Sequence, residues 1–520
     1  MDKLKEMQSR LMIALAVFPA FLLATACGSG SNASQATASA DPSAPQAVSF
    51  EIQVSPALTP NFDPSIHDYV INCASSSEVQ FTASMPAGGP IAYFGPNEGP
   101  GATWPYPGYF QKTAYFQKTI ALNPGERFRF VIGHGSSEYS VRCLPQDFPP
   151  LSVSVNGTRE AEWYLFAPSL IFNPTTKTSS YVIIADANGT PIWWKSEPDG
   201  IAIDAKILGA NQITWTIQTN QPVAQYVIRD FSGRVINTIG SDLNDHDLQS
   251  TPNGTLLAIR DVARVCPPDC ADMSPWGGSS QMSILDQEIV ELDKSSNVLW
   301  TWRTRDHVGL SESGAAGWFP GVGYDIIHMN AVEPDGTDAV LFSARHLNAI
   351  YRISKSTGAI DWKIGGTIRP ESLVVIGDIR PTAIGAGGQS LSGQHDVRKL
   401  ADGTISVHDN GTNVNRPPSI VRYKIDTAAR TASVVEQLED KSDTASICCG
   451  SARQLPGGHW LVQWGGLPYM AELDADGNSV LTIKYNMGPQ FSYRAVPILP
   501  GTVDGTLLRV GMDAVSKLIH

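Results

Sequence analysis

The sequence of 520 residues lacks the features that mark several common functions. It has 37 Lys and Arg against 50 Asp and Glu, a formal net charge of -13, and its basic residues are not clustered. A chain of this charge gains nothing by counterion release from nucleic acid, and it is not attracted to an anionic membrane surface. We therefore expect no nucleic-acid partner. An anionic substrate would need a local cationic pocket.

Two binding motifs are missing as well. The chain contains no GxxxxGK[ST] loop, which argues against a nucleotide donor or cofactor. It contains no CxxC pair, and the adjacent Cys448 and Cys449 cannot both reach one ion comfortably. We expect no cofactor and no metal bound by cysteine.

Glycine and proline are plentiful instead, with 46 Gly and 36 Pro, and only 17% of residues are charged. This composition is typical of an all-β protein outside the cytoplasm, and the length favours two folded units or one repeat array. Short alternating segments such as FEIQV, VQFTA and RFRFVIG lie between turn residues in the range 47–148. They predict a small antiparallel β-sandwich.

The N-terminus has the pattern of an export signal. Basic residues precede an apolar run from Leu11 to Leu23, which is shorter than the ~20 residues of a membrane-spanning helix. Ala24-Thr-Ala-Cys27 and a Ser/Ala-rich stretch follow, which is typical of a bacterial lipoprotein. We predict a signal peptide over 1–27, a lipid anchor on Cys27 as the only membrane attachment, and a flexible linker over 28–46. Ala24 stands where Leu is usual, so simple cleavage and secretion remains an alternative. Either way the protein is exported, to the periplasm or the cell surface.

Export permits the remaining cysteines to form disulfides. Cys73 and Cys143 lie near the two ends of the predicted sandwich, and we expect them to pair. Cys266 and Cys270 enclose Pro-Pro-Asp in a short loop and form the second predicted disulfide. The sequence assigns no partner to Cys448 or Cys449.

Beyond residue 149 the pattern is periodic. An apolar strand, a turn and a second apolar strand recur in six segments: IIADANGTPIWW, VIRDFSGRVINTIG, VELDKSSNVLWTW, YRISKSTGAIDWKIG, VRYKIDTAARTASVV and AELDADGNSVLTI. Their spacing suits propeller blades of ~40 residues or more. We predict an all-β chain in which a six-bladed β-propeller over 149–520 follows the sandwich. Four Asn-Gly-Thr triplets, at Asn156, Asn188, Asn253 and Asn410, are interpreted as type I′ turns.

A second repeat places histidine at one position of three units. His246, His328 and His395 each stand eight residues before a glycine that precedes an apolar run. A propeller would gather these side chains at its axis, together with Asn330 and the fixed positive charge of Arg345. Such a funnel suits a sulfate, phosphate or carboxylate, with a histidine as nucleophile or acid/base. Three imidazoles would also suit a divalent metal. A third alternative is that each histidine only caps its own turn. The residues alone leave these alternatives open.

The segments HDLQ, HMNAVEPDG, SARHLNAIYRI, GQHDVRKLADGTISVHDNG and LPGGHWLVQWGG resemble those of bacterial arylsulfotransferases, roughly from 149 to 493. The resemblance implies a six-bladed propeller that moves a sulfuryl group from a phenolic sulfate ester to a phenolic acceptor by a ping-pong route. Neither a nucleotide sulfate donor nor a metal is implied. By the same resemblance, His395 is the nucleophile that forms a sulfohistidine. His328, Asn330 and Arg345 hold the sulfuryl oxygens, and His246 is an acid/base.

The segment from Leu58 to Tyr69, LTPNFDPSIHDY, is similar to a signature of cadherin-like β-sandwich domains. The resemblance implies that residues 47–148 are a spacer or a carbohydrate-adjacent module. The segment itself contains no recognisable catalytic grouping. Two other functions remain as alternatives. One is a propeller that binds a ligand or partner through its channel without catalysis, and the other is a metal-dependent hydrolase built on the three histidines.

Overall fold

The computed structural model describes residues 50–73, 78–85, 89–96, 111–112, 115–133, 138–170, 180–198, 200–209, 211–218, 224–276, 278–312, 324–380, 391–440, 442, 445–486 and 490–519. The predicted signal peptide, linker and Cys27 lie outside these ranges. None of the helices in the described part of the chain has the length and apolar character needed to cross a membrane.

Eight strands make up the N-terminal part of the fold. They are β1 (Glu51–Ser55), β2 (Asp68–Asn72), β3 (Glu78–Ser84), β4 (Pro90–Phe94), β5 (Gln111–Lys112), β6 (Tyr115–Ala121), β7 (Arg127–Ile132) and β8 (Glu138–Leu144). They form a three-stranded sheet in the order β1-β3-β6 and a five-stranded sheet in the order β2-β8-β7-β4-β5.

These two sheets share one aromatic core. Alternate residues point inward, as they must on a pleated strand, and Phe81, Phe128 and Phe130 are fully buried there. Cys73 and Cys143 are bonded to each other in this core, which is the pairing expected from the sequence. The likeness to cadherin domains stays a prediction.

The rest of the chain contains 27 strands among the described residues, three short 3₁₀ helices and one α-helix. The strands are β9 (Leu151–Val155), β10 (Trp163–Leu170), β11 (Ser180–Asp186), β12 (Pro191–Glu197), β13 (Ile201–Gly209), β14 (Gln212–Gln218), β15 (Ala224–Arg229), β16 (Val235–Leu243), β17 (Leu248–Ser250), β18 (Leu256–Arg264), β19 (Ile284–Leu292), β20 (Val298–Arg303), β21 (Tyr324–Asp325), β22 (Met329–Pro334), β23 (Ala339–Ala344), β24 (Ala349–Ser354), β25 (Ile360–Gly365), β26 (Val374–Ile376), β27 (His395–Lys399), β28 (Ile405–Asp409), β29 (Ser419–Asp426), β30 (Thr431–Glu439), β31 (Ser451–Gln454), β32 (Trp460–Gln463), β33 (Tyr469–Leu473), β34 (Ser479–Tyr485) and β35 (Gln490–Ile498). The 3₁₀ helices are Ser274–Trp276, Thr304–Asp306 and Leu310–Glu312, and the α-helix is α1 (Gly505–Ile519).

These strands form successive antiparallel meanders, the architecture of a β-propeller. The described residues contain six such sheets, with the orders β35-β10-β11-β12, β13-β14-β15-β16, β17-β18-β19-β20, β22-β23-β24-β25, β27-β28-β29-β30 and β31-β32-β33-β34. The all-β propeller class predicted from the sequence is therefore confirmed.

The first two strands of this region pair with its last two strands. The early strand β9 adds to the outer edge of the last sheet by pairing with β34, and the late strand β35 forms the inner edge of the first sheet by pairing with β10. Two junctions between distant parts of the chain therefore join the first and last sheets. The series of sheets is therefore closed, because its first and last members are joined by strand pairing.

The six repeated segments of the sequence form the two outer strands of the six sheets. Aspartate begins most of these hairpin turns and binds the backbone of the turn. Asp186 Oδ1 accepts hydrogen bonds from the N–H groups of Asn188 and Thr190, each 2.8 Å long. Asp293 and Asp474 do the same in their hairpins. This Asx-turn chemistry explains why a polar residue recurs between two apolar strands.

The helix α1 joins the end of the propeller to the sandwich. Its apolar residues Leu508, Met512 and Val515 are buried in the core beside β12. On its other side Asp513 accepts hydrogen bonds from Arg127 and Arg142, each with a contact of 2.8 Å. The helix therefore holds the two parts of the chain together through apolar contacts on one side and charged contacts on the other.

Candidate active site

The three repeated histidines lie at the start of the inner strands of three neighbouring sheets. His246 and His328 come just before β17 and β22, and His395 is the first residue of β27. The rings of His246 and His328 are 4.9 Å apart between centroids, at an angle of 82°. Asn330, two residues after His328, donates from Nδ2 to the carbonyl oxygen of Gln394 at 2.8 Å, so the start of β22 lies beside His395. The fold therefore brings the three imidazoles together, as the repeat predicts.

Irregular backbone sets the direction of these side chains. His328 has φ 50° and Asp396, which follows His395, has φ 60°, a region that residues other than glycine rarely adopt. In both strands the pairing register shifts at this point, between Met329 and Ala331 and after His395. Bulges of this kind turn a side chain away from the regular pleat and recur beside active sites.

The hydrogen bonds of His395 define which ring nitrogen carries the proton. Its Nδ1 lies 2.9 Å from the carbonyl oxygen of Gly393 and 2.8 Å from Oδ1 of Asn410. Both atoms are acceptors, because Nδ2 of Asn410 donates to Ser446 Oγ and to the Cys449 carbonyl oxygen, each at 3.0 Å. Nδ1 is therefore the protonated nitrogen, and Nε2 keeps its lone pair.

The surroundings keep this imidazole neutral. Burial is the largest effect that lowers the pKa of His395 well below its usual range, and the nearby positive charge of Arg345 lowers it further. Only 2% of the residue is exposed. At neutral pH, Nε2 of His395 is thus an unprotonated nitrogen beside a guanidinium group.

His328 is oriented by a carboxylate that the sequence analysis missed. Oδ2 of Asp325 lies 2.5 Å from Nδ1 of His328, and Oδ1 accepts the His328 backbone N–H at 3.0 Å. Burial opposes ionisation of Asp325, but His328 and His346 lower its pKa to about 2. The charged carboxylate therefore fixes the ring of His328. Asp325 precedes His328 by three residues, in DIIH, but nothing in that spacing marked it.

The pKa of His246 is shifted in the opposite direction to that of His395. Its Nδ1 lies 2.9 Å from Oδ1 of Asp245 and 2.6 Å from Oδ1 of Asn244. Burial disfavours the charged ring, but the Asp245 carboxylate outweighs burial and raises the pKa of His246. The ring also meets Tyr493 edge-on, with 5.7 Å between centroids. His246 is therefore the histidine of the three that is best suited to give a proton.

Arg345 and Asn330, which were both expected to hold the sulfuryl oxygens, differ in their hydrogen-bond partners. Arg345 donates from Nη2 to the carbonyl oxygen of Ile447 at 2.9 Å, and its buried Nε has no hydrogen-bond partner among the described residues. Asn330 is fully buried, and its Nδ2 donates to the carbonyl oxygen of Gln394 at 2.8 Å. Arg345 thus has a donor to offer an anion, whereas Asn330 holds the backbone next to His395.

The metal alternative has a candidate ligand set of its own. Ligand atoms of Asp325, His328 and His346 all lie within 4.8 Å of one another. This cluster includes only one of the three repeated histidines. The described residues do not place His246 or His395 in it, so the set differs from the three-imidazole site considered in the sequence.

The Asn-Gly-Thr triplet at Asn410 is not a tight hairpin turn, and that interpretation was wrong. Asn410 directly follows β28, and the chain runs through residues 411–418 before β29 begins. The side chain of Asn410 instead binds His395. The triplet at Asn188 does lie in the turn between β11 and β12. Asn156, Asn188 and Asn253 do not have positive φ, however, so the type I′ assignment was wrong for these triplets as well.

The geometry defines a propeller with a buried histidine site, and comparison with known proteins gives its class. The family model described as Arylsulfotransferase (ASST) matches residues 156–494. The chain belongs to the arylsulfotransferase family. It is therefore a sulfotransferase, an enzyme that transfers sulfuryl groups. The match spans the five residues to which the resemblance gives roles, His246, His328, Asn330, Arg345 and His395.

Solved structures resemble the chain only distantly. A protein of unknown function from Bacteroides caccae is 12% identical, covers 65% of this chain and 99% of its own, and has a TM-score of 0.40. A putative 6-phosphogluconolactonase from Bacteroides fragilis is 10% identical, covers 66% and 99%, and has a TM-score of 0.37. The Cps50 (Swd1) β-propeller domain of Myceliophthora thermophila is 9% identical, covers 65% and 90%, and has a TM-score of 0.33. No curated protein matches the sequence.

Proposed function

We propose that the protein transfers a sulfuryl group from a phenolic sulfate ester to a phenolic acceptor by a ping-pong route through a sulfohistidine at His395. The observation that carries the proposal is the tautomer of His395. Its Nδ1 faces two acceptors, so the unprotonated Nε2 is the ring atom available for attack. A neutral imidazole is a competent nucleophile at neutral pH without a metal or cofactor.

The first half-reaction forms one bond and breaks one. The Nε2 lone pair of His395 attacks sulfur, the bond from sulfur to the aryl oxygen breaks, and the phenolate leaves with its electron pair. The positive charge that develops on the imidazole is stabilised at Nδ1–H by Asn410 Oδ1 and the Gly393 carbonyl oxygen. His246, whose pKa is raised, gives a proton to the phenolate.

The second half-reaction reverses these steps with a different phenol. His246 takes the proton from the acceptor, the acceptor oxygen attacks sulfur, and the bond between sulfur and Nε2 breaks. Arg345 stabilises the nonbridging oxygens in both halves. Because the group passes through the protein, no nucleotide sulfate donor is needed.

The proposal is tested by following 4-nitrophenol release from 4-nitrophenyl sulfate with purified protein. We expect a burst without acceptor and continuous turnover only when phenol is added. Release that continues in water alone would identify a sulfatase, and no release at all would favour a binding protein.

A chelator should have no effect. If it abolishes turnover and a divalent metal restores it, the metal-dependent hydrolase is the correct alternative and Asp325, His328 and His346 become its ligands.

Replacement of Arg345 by alanine should remove charge stabilisation but keep the nucleophile. We expect the burst rate constant to fall roughly 100- to 1,000-fold, by analogy with loss of one oxyanion donor. Rapid mixing with 4-nitrophenyl sulfate measures it. Arg305→Ala is the matched control, since Arg305 forms a 3.3 Å pair with Asp269 and is 42% exposed. Equal rates for the two variants would remove Arg345 from the mechanism.

We also propose that the protein is exported and held at the extracytoplasmic side of the membrane by a lipid on Cys27. The basic residues, the short apolar run and the cysteine after Ala26 support this. Cys27→Ser should move the protein from the membrane fraction to the soluble fraction, because one anchor is its only membrane attachment. Soluble protein with Cys27 intact, or a mature chain beginning at another residue, would contradict the anchor.

A further inference from the structure

The turn formed by residues 446–450 contacts three members of the proposed site at once. The backbone N–H of Cys449 donates to Nε2 of His395 at 3.1 Å, and the Cys449 carbonyl oxygen accepts from Asn410 Nδ2 at 3.0 Å. The carbonyl oxygen of Ile447 accepts from Arg345 Nη2 at 2.9 Å. The position of this turn therefore determines whether Nε2 of His395 accepts a hydrogen bond from the Cys449 backbone.

The turn has an unusual conformation. Cys449 has φ 66°, in the left-handed region that residues other than glycine rarely adopt. Cys448 and Cys449 are bonded to each other through their sulfur atoms. A disulfide between neighbours closes a small ring around the peptide bond between them, so it restricts the rotation that would let Cys449 return to negative φ.

Tyr493 and His408 contact the turn at Gly450 and fix its position. The N–H of Gly450 donates to the Tyr493 carbonyl oxygen at 2.9 Å. A Cβ at Gly450 would lie 2.4 Å from Cδ2 of His408, so His408 packs directly against the backbone here. His408 is itself fully buried, and neither of its ring nitrogens has a hydrogen-bond partner within the described ranges. Its role is thus one of packing, which places the Cys449 peptide against His395.

We propose that the bonded pair Cys448–Cys449 is a positioning element for the nucleophile, an inference that rests on the proposed function. With the bond closed and no substrate bound, the Cys449 N–H donates to Nε2 of His395, which keeps that nitrogen unprotonated and fixes the plane of the ring until the aryl sulfate arrives. With the bond open, Cys449 relaxes to negative φ, its N–H turns away, and the ring becomes both freer and more basic. The aryl sulfate displaces this N–H when it binds.

The test compares the burst of 4-nitrophenol from 4-nitrophenyl sulfate in three proteins. They are the oxidised wild type, the wild type treated with a dithiol, and Cys448→Ser/Cys449→Ser. Dithiol reduction converts one disulfide to two thiols and the dithiol to its own disulfide, and peptide mapping after alkylation verifies that the 448–449 bond is open. We expect the burst rate constant to fall roughly tenfold in both altered proteins, the size expected for one lost hydrogen bond.

Two controls separate positioning from general damage. Cys266→Ser/Cys270→Ser lacks the other short-loop disulfide and should keep the wild-type burst. The dithiol should cause no further loss in Cys448→Ser/Cys449→Ser.

The pH dependence is the decisive readout. Loss of a donor to Nε2 makes protonation easier, so the acid limb of the burst rate should move to higher pH.

Unchanged rates and an unshifted pH profile, with the bond shown to be open, would overturn the proposal. A faster burst would also overturn it, because the turn would then be a cap that blocks the nucleophile. If the serine variant does not fold, the dithiol-treated wild type still gives the answer. Failure of the proposed function is distinguishable, since the oxidised wild type would then release no phenol. In that case NMR titration of the His395 ring in oxidised and reduced protein still measures the change in its basicity.

Discussion

His395→Ala should abolish the burst of phenol from an aryl sulfate, with a loss of roughly 10⁴- to 10⁶-fold, as for removal of a covalent nucleophile elsewhere. The other two repeated histidines are not placed to replace it, because His246 is held by Asn244 and Asp245 and His328 by Asp325. His395→Asn should be equally inactive. Rapid mixing gives the burst, and the thermal midpoint shows whether each variant is folded.

The covalent intermediate provides the direct measurement. Wild-type protein quenched with donor and no acceptor should carry an acid-labile sulfuryl group on the peptide that contains Gln394 and His395. His67→Ala is a suitable control, because His67 is exposed on the sandwich and should be modified and active like the wild type. An unmodified peptide under conditions that release phenol would end the sulfohistidine mechanism for this protein.

The propeller was predictable because its signals are local and repeated. Each outer hairpin needs two apolar strands and a turn residue, and six such segments stand in the sequence in order. The histidine repeat was also readable, since Gly254, Gly336 and Gly403 have φ of 78°, 78° and 85° in turns that only glycine adopts easily. A glycine that is required for positive φ fixes the position of the turn, and with it the register of the strands on either side.

The support around His395 was not predictable, because it comes from distant parts of the chain. Asn410 contacts the ring across 15 residues and the Cys449 N–H contacts it across 54. A backbone N–H carries no sequence signal at all. Asn410 did stand in a motif, but Asn-Gly-Thr is far more common as a turn, and only the pairing of β27 with β28 sets it beside His395.

Buried ion pairs join the inner strands of several sheets, and the sequence did not reveal them either. Arg494 on β35 contacts Asp247 at 2.9 Å, Asp204 on β13, and the Asn330 carbonyl oxygen at 2.8 Å. Arg398 contacts the other oxygen of Asp247 at 3.0 Å. Charged residues look like surface positions in a sequence, and these become internal only when the inner strands converge.

Arg494→Ala should therefore destabilise the propeller by about 3 to 5 kcal/mol, because it leaves buried carboxylates without their partner. Arg494 has a side chain that is 1% exposed, and it links the last inner strand to those of other sheets. Urea unfolding followed by tryptophan fluorescence measures the shift in midpoint, since Trp193, Trp215 and Trp460 are buried in the propeller. Arg234→Ala is the control, because Arg234 pairs with Asp230 on the surface at 78% exposure and should cost less than about 1 kcal/mol.

The pH dependence of this loss distinguishes an unpaired charge from lost packing. In the wild type, burial alone would raise the pKa of Asp247, but Arg398 and Arg494 lower it well below its usual range. Arg494 also contacts Asp204, whose pKa is already raised by burial although Lys206 and Arg494 lower it in part. Without Arg494 the pKa of Asp204 rises further above its usual value, so the folded variant takes up a proton more readily than the unfolded chain. Its stability then increases as pH falls through the raised pKa. The deficit of Arg494→Ala relative to the wild type should be smaller at pH 5 than at pH 7. A deficit that is the same at both values would mean that Arg494 acts through its volume rather than its charge.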